Sequence, residues 1–173
     1  MAVSAFRGGQ RMTADALNAM LARWTAWTPT WSTSSGSNTP SYGNATVDCK
    51  YAVTGDAVLF DFELTFGSTT SFGGGGTGDN WRFSLPVTAA EAQIIAGMGE
   101  IQGSSGAERY PVRARITTTT TFEIELSGRA FNNETPNSNG LIDAATPFGA
   151  ANTVSTAWAS GFAIRLHGHY QAA

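Results

Sequence analysis

Val58-Leu59-Phe60-Asp61-Phe62-Glu63-Leu64-Thr65-Phe66 alternates apolar and polar residues along almost its whole length. In an extended chain successive side chains point to opposite faces, so Val58, Phe60, Phe62, Leu64 and Phe66 share one face. Asp61, Glu63 and Thr65 share the other. A period of two predicts a half-buried β-strand. The preceding residues repeat the pattern with Val47, Cys49, Tyr51 and Val53, and Thr54-Gly55-Asp56 supplies a turn. The two segments together predict an antiparallel hairpin.

The alternation continues toward the C-terminus. Trp81, Phe83, Leu85 and Val87 form the next strand, and Pro86, which has no N–H to donate, places it near an edge or a strand end. Thr88 to Gln93 reads as one helical turn. Ile94 to Ile101 reads as a strand that contains Gly97 and Gly99. Tyr110, Val112, Ala114 and Ile116 alternate with Arg113 and Arg115, and Phe122, Ile124 and Leu126 alternate with Glu123 and Glu125. Phe162, Ile164, Leu166 and Tyr170 close the chain. About eight short strands, separated by turn residues and lacking a fixed repeat, predict an all-β domain of β-sandwich or jelly-roll type.

Ahead of the strands lies a different pattern. Thr13 to Arg23 reads as a short helix, with Thr13 as N-cap and Asp15 in the first turn, where the helix dipole favours an anion. Leu17, Met20, Leu21 and Trp24 follow helical spacing and form one apolar stripe. An isolated helix is marginal even at about 12–15 residues, so this stripe needs a surface to bury against. That surface is its own β-domain, a second copy or a partner protein. Trp24, Trp27 and Trp31 cover the helix-to-strand junction or a subunit contact. The chain thus divides into an arm, residues 1–31, and a β-domain, residues 32–173.

The composition narrows the function. Of 173 residues, 42% are hydrophobic but only 13% charged, against about 25% in an ordinary domain. Such a surface hydrogen-bonds more than it repels, as in subunits that cover one another. The net charge is −3 and Lys50 is the only lysine, which gives no basic stripe and argues against nucleic acid. Cys49 is the only cysteine and reads as a small core residue. Met1 to Gln10 lacks the apolar run of a signal peptide, and no segment approaches the about 20 apolar residues of a membrane span. Synthesis in a cytoplasm and no membrane insertion are expected.

Few residues suggest chemistry. Gly73 to Gly78 fits the dinucleotide spacing, but that motif needs a helix immediately after it, and a strand follows. No cofactor is expected. His167 and His169 share a strand face, yet zinc usually takes three or four protein ligands. They read as a polar face or a subunit seam, and no metal is expected. Asp61 with Glu63, or Glu123 with Glu125, could be taken for a glycosidase pair. Such a pair must flank a cleft, and acids alternating along a strand usually face solvent. Arg113 and Arg115 complement Glu123 and Glu125 across a short Thr-rich link. No enzyme activity is expected.

Gly9-Gln10-Arg11-Met12-Thr13-Ala14-Asp15-Ala16-Leu17-Asn18 resembles the segment that often opens tail-fibre and minor tail proteins of tailed bacteriophages, especially those of actinobacterial hosts. Thr28-Pro29-Thr30-Trp31, Gly43-Asn44-Ala45-Thr46, Leu64-Thr65-Phe66-Gly67-Ser68-Thr69-Thr70, Trp81-Arg82-Phe83-Ser84-Leu85-Pro86 and the closing Trp158 to Tyr170 are similar to the β-domain of that group. The resemblance implies a virion-attaching N-terminus and a homotrimeric jelly-roll head, like C1q and TNF domains. It departs in one respect: the helix runs into the β-domain with no shaft. That favours a compact spike, a tail-tip subunit or a capsid decoration protein over a long fibre.

The expected function is therefore that of a virion structural protein displaying a β-domain for surface or host contact. A carbohydrate-binding module and a small wall depolymerase are the rivals. Docking or oligomerisation falls to Leu17, Met20, Leu21, Trp24, Trp27 and Trp31. Display falls to the loops Gly67–Asn80 and Phe131–Gly140, with Phe72, Gly75, Asp79, Asn133 and Asn137. The expected partners are further copies of the chain, other capsid or tail proteins, and a host cell-surface glycan.

Overall fold

The computed structural model describes residues 9, 11, 13–14, 22–74, 79–106, 109–127, 142, 144 and 158–173. The helix expected over Thr13–Arg23 falls largely outside these residues. So do Leu17, Met20 and Leu21 of its stripe, and Gly75, Asn133 and Asn137 of the display loops.

The fold is all-β. Its strands are β1 (Thr25–Trp27), β2 (Trp31–Thr33), β3 (Thr46–Val47), β4 (Cys49–Thr54), β5 (Ala57–Thr65), β6 (Trp81–Ser84), β7 (Ile94–Gln102), β8 (Arg109–Thr118), β9 (Thr121–Leu126) and β10 (Ala163–Gln171). They form one antiparallel sheet in the order β1-β4-β5-β10-β7-β8-β9-β6-β2, with β3 also paired to β5. The expected hairpin is β4–β5, with Val53 opposite Val58.

The strand order forces the sheet to curl. β1 and β2 are its two edges, yet only Thr28-Pro29-Thr30 separates them. Laid flat, edges eight strand spacings apart would stand about 38 Å from each other. The link from Trp27 to Trp31 reaches at most about 14 Å. The sheet therefore folds back on itself as a flattened barrel, and the β1–β2 crossing closes it. Tyr42 Oη donates to Pro29 O at 2.9 Å and pins that crossing.

The apolar faces of the strands meet inside. Val58, Phe60, Phe62 and Leu64 of β5 are at most 1% exposed. Phe62 faces Phe83 at 4.9 Å and Phe122 at 5.4 Å, so β5 packs across the interior against β6 and β9. A second aromatic layer joins Trp31, Phe66, Phe72, Trp81 and Trp158. Where β6 and β9 part, Ile142 fills the gap: its N–H donates to Ile124 O at 2.9 Å, and its carbonyl accepts from Trp81 N at 2.8 Å.

Three readings from sequence need correction. Trp31 is a core residue at 3% exposure, held between Phe66 and Phe83, so it offers no docking surface. Trp27 is half-buried against Phe62 and Phe122. Both sit on strands of the sheet, so residues 25–31 belong to the β-domain and not to the arm. Thr88 to Gln93 forms no helical turn; Ala89 bridges to Ala172 instead, and the backbone N–H of Ala173 donates to Thr88 O at 2.9 Å.

Candidate functional site

The topology gives the domain two unlike ends. Because all strand pairs are antiparallel, the connections 34–45, 66–80, 103–108 and 127–162 leave the sheet at one end. The tight turns 55–56 and 119–120 lie at the other, with the connection 85–93 and the C-terminal Ala173. β1 pairs with β4 from Thr25 opposite Tyr51 to Trp27 opposite Cys49. The chain N-terminal to β1 therefore enters at the tight-turn end, opposite the long loops.

The tight-turn end is sealed. Ala172 N–H donates to Asp56 O at 2.7 Å, and Ala90 N–H donates to Gln171 O at 2.8 Å. Tyr170 Oη donates to Val87 O at 2.7 Å and accepts from Val87 N, while burial pushes its phenol up to about 12. Trp24, just before β1, is 52% exposed. It is the one expected docking residue that the structure describes on the surface.

The described parts of the loop end are tied to each other. Asp79 accepts from Ser35 N at 2.8 Å, Ser35 Oγ at 2.9 Å and Ser34 Oγ at 3.2 Å. Burial pushes its carboxyl up, but the Ser35 N–H and the hydroxyls of Ser35, Thr33 and Ser34 outweigh that and hold it below the ordinary value. Asn44 Oδ1 accepts from Thr69 N at 2.8 Å, and Thr69 Oγ1 accepts from Asn44 N at 2.9 Å. Gly43 permits this approach: its φ is +56°, and a Cβ there would strike Thr69 O. Two expected display residues are thus committed elsewhere. Asp79 is engaged by the neighbouring loop. Phe72 is half-buried against Phe66 and Trp81, and its carbonyl accepts from Trp81 Nε1 at 3.2 Å.

The outward faces carry the ion pairs. Arg165 links Glu63 at 2.9 Å and Glu100 at 3.5 Å, and Glu100 also meets Arg109 at 2.6 Å. Glu125 takes Arg113 at 2.9 Å and Arg115 at 2.6 Å. Burial pushes Glu125 up, but the two guanidiniums outweigh this and hold it below the usual carboxylate range. The expected complement of Arg113 and Arg115 to the β9 acids is present, with one change: Glu123 is 2% exposed and pairs with Arg82 at 2.7 Å. The sequence pointed to no role for Arg82. Its place opposite Glu123 depends on β6 pairing with β9, two strands far apart in the chain.

None of these acids stands across a cleft from another. Asp61 and Glu63 share the convex outer face of β5, and Glu63 is committed to Arg165. His167 and His169 are exposed on the outer face of β10. Among the described residues, no group of three or more His, Cys, Asp or Glu could hold a metal ion. Among the same residues, no helix is long and apolar enough to cross a membrane. Comparison with protein-family models, curated proteins and solved structures finds no match.

Proposed function

We propose that the chain is a structural protein of a bacteriophage particle, a short spike or tail-tip subunit in which the arm before β1 docks and the β-domain is presented outward. The two-ended topology carries this reading. The arm enters beside the sealed tight-turn end, and the long loops leave from the opposite end. An attached display domain needs that polarity. Trp24, exposed at the arm's entry, suits a docking contact. The motif Gly9 to Asn18 supplies the resemblance to virion-attaching segments.

A sugar-binding module is less well supported. Stacking on sugars needs exposed rings, whereas Trp31, Trp81 and Trp158 are at most 7% exposed. The test is assembly. Particles formed with the full chain should carry it, and a chain lacking residues 1–23 should fold yet fail to join them. Incorporation of the shortened chain at the normal level, or absence of the full chain from purified particles, refutes the proposal.

A further inference from the structure

We infer that His167, His169 and Met98 form a binding site for a cuprous ion on the outer side of β10 and β7. In the sequence the two histidines lack a third ligand. The register of β10 against β7 supplies one, because Met98 stands directly opposite His167. All three side chains are exposed, Met98 at 62%. Residues two apart on a strand are about 6.8 Å apart, and residues facing each other on paired strands have Cβ atoms about 5 Å apart. Two imidazoles and a long, unbranched thioether rooted at those spacings can turn their donor atoms onto one ion. Among the described residues, no hydrogen bond or ion pair engages either imidazole.

The backbone beneath the site is closely packed. A Cβ on Gly168 would strike Ala96 O, and one on Gly99 would strike Arg165 O. Glycine at these positions lets β10 and β7 close toward each other on the inner side, so the sheet bends between them. Met98 lies on the outside of that bend, which leaves room for an ion between its sulfur and the imidazoles.

The donor set selects the ion. Imidazole serves copper, zinc and nickel alike, but a thioether is soft and favours Cu(I). Zinc usually takes a third or fourth imidazole, thiolate or carboxylate. Asp61 faces His167 from β5, yet among the described residues it does not complete a metal-holding group with the two histidines. Leu59 faces His169, and Ile95 follows on β7; both are exposed and give the site an apolar rim. Such a rim penalises a divalent charge more than a single one. Binding is donation of lone pairs from one sulfur and two ring nitrogens, with no change of oxidation state. The site stands apart from the proposed particle role, and its failure leaves that reading untouched.

Titration of the full chain with cuprous ion under argon, in competition with bicinchoninate at about pH 7.5, where imidazole is largely neutral, tests this. One ion should bind per chain, and the Met98 methyl resonance should shift with it. His169→Gln and Met98→Leu should each weaken binding at least about ten-fold. Both positions are exposed, so the circular dichroism and Tm of the metal-free chain should not change. Cys49→Ala should bind as the unchanged chain does, since that thiol is buried. Zinc should bind the Met98→Leu variant and the unchanged chain alike. Cuprous binding indifferent to Met98→Leu or to His169→Gln, an equal loss for zinc in Met98→Leu, or binding that disappears with Cys49→Ala overturns the inference.

Discussion

Replacing Trp31 separates a core role from a docking role. Its ring lies 5.8 Å from Phe66, 5.6 Å from Phe83 and 4.8 Å from Trp81, with 3% exposure. Truncating such a side chain to alanine removes its transfer free energy and leaves a cavity, which costs about 3–5 kcal/mol. Trp31→Ala should lose that much in urea unfolding followed by far-UV circular dichroism. In a domain of this size the loss lowers Tm by roughly 6–20 °C. Trp31→Phe is the informative companion. Among the described residues the buried indole Nε1 has no hydrogen-bond partner, and leaving a donor unpaired costs about 1–3 kcal/mol. Phenylalanine removes that donor while losing some ring contact, so the terms offset and the change should stay within about 1 kcal/mol. A Trp31→Ala loss below about 1 kcal/mol would place the ring outside the core. Equal losses in both variants would refute the reading of the indole nitrogen.

Other expectations follow from the buried and linked groups. Arg82→Met strands the Glu123 carboxylate and should cost about 2–3 kcal/mol, reduced from the fully buried case because Arg82 is 31% exposed; the double variant with Glu123→Met should recover most of the loss in a double-mutant cycle. Glu125 and Asp79 are held below the carboxylate values of an unfolded chain, so their stabilisation is present above the ordinary carboxylate range and fades as pH falls through their lowered folded values. Asp79→Ala should accordingly speed hydrogen exchange of the Ser35 amide at neutral pH, and a rate equal to wild type would contradict the clamp. Cys49 is buried, and desolvation pushes its thiol up to about 12; it should ignore a thiol reagent at pH 8 until the chain is unfolded in denaturant, and rapid native-state labelling would show the site open.

The outward placement of His167 and His169 could be read from the sequence because Leu166 and Tyr170, which flank them, mark the inward face of β10. The same rule fails on β7. Ile94 and Ile101 both pack against the core although their separation is odd, because a bulge between Ile95 and Gly97 adds a residue and switches the faces. Met98 is turned outward by that register shift, and a pattern of two could not anticipate it. Nor could it place Trp31, which sits in a short polar context and whose partners, Phe66 and Trp81, lie far along the chain.

Alternation along β5, β8, β9 and β10 by itself settled that the chain is all-β, which side chains face inward, and that β4 and β5 form a hairpin. These are properties of neighbouring residues, and the pleat of a strand converts them directly into faces. Only the tertiary structure decided which strands are neighbours. Strand order rests on packing between distant segments, so closure of the barrel by three residues at Thr28–Thr30, burial of Glu123 beside Arg82, and segregation of the long loops to one end have no local signature in the sequence.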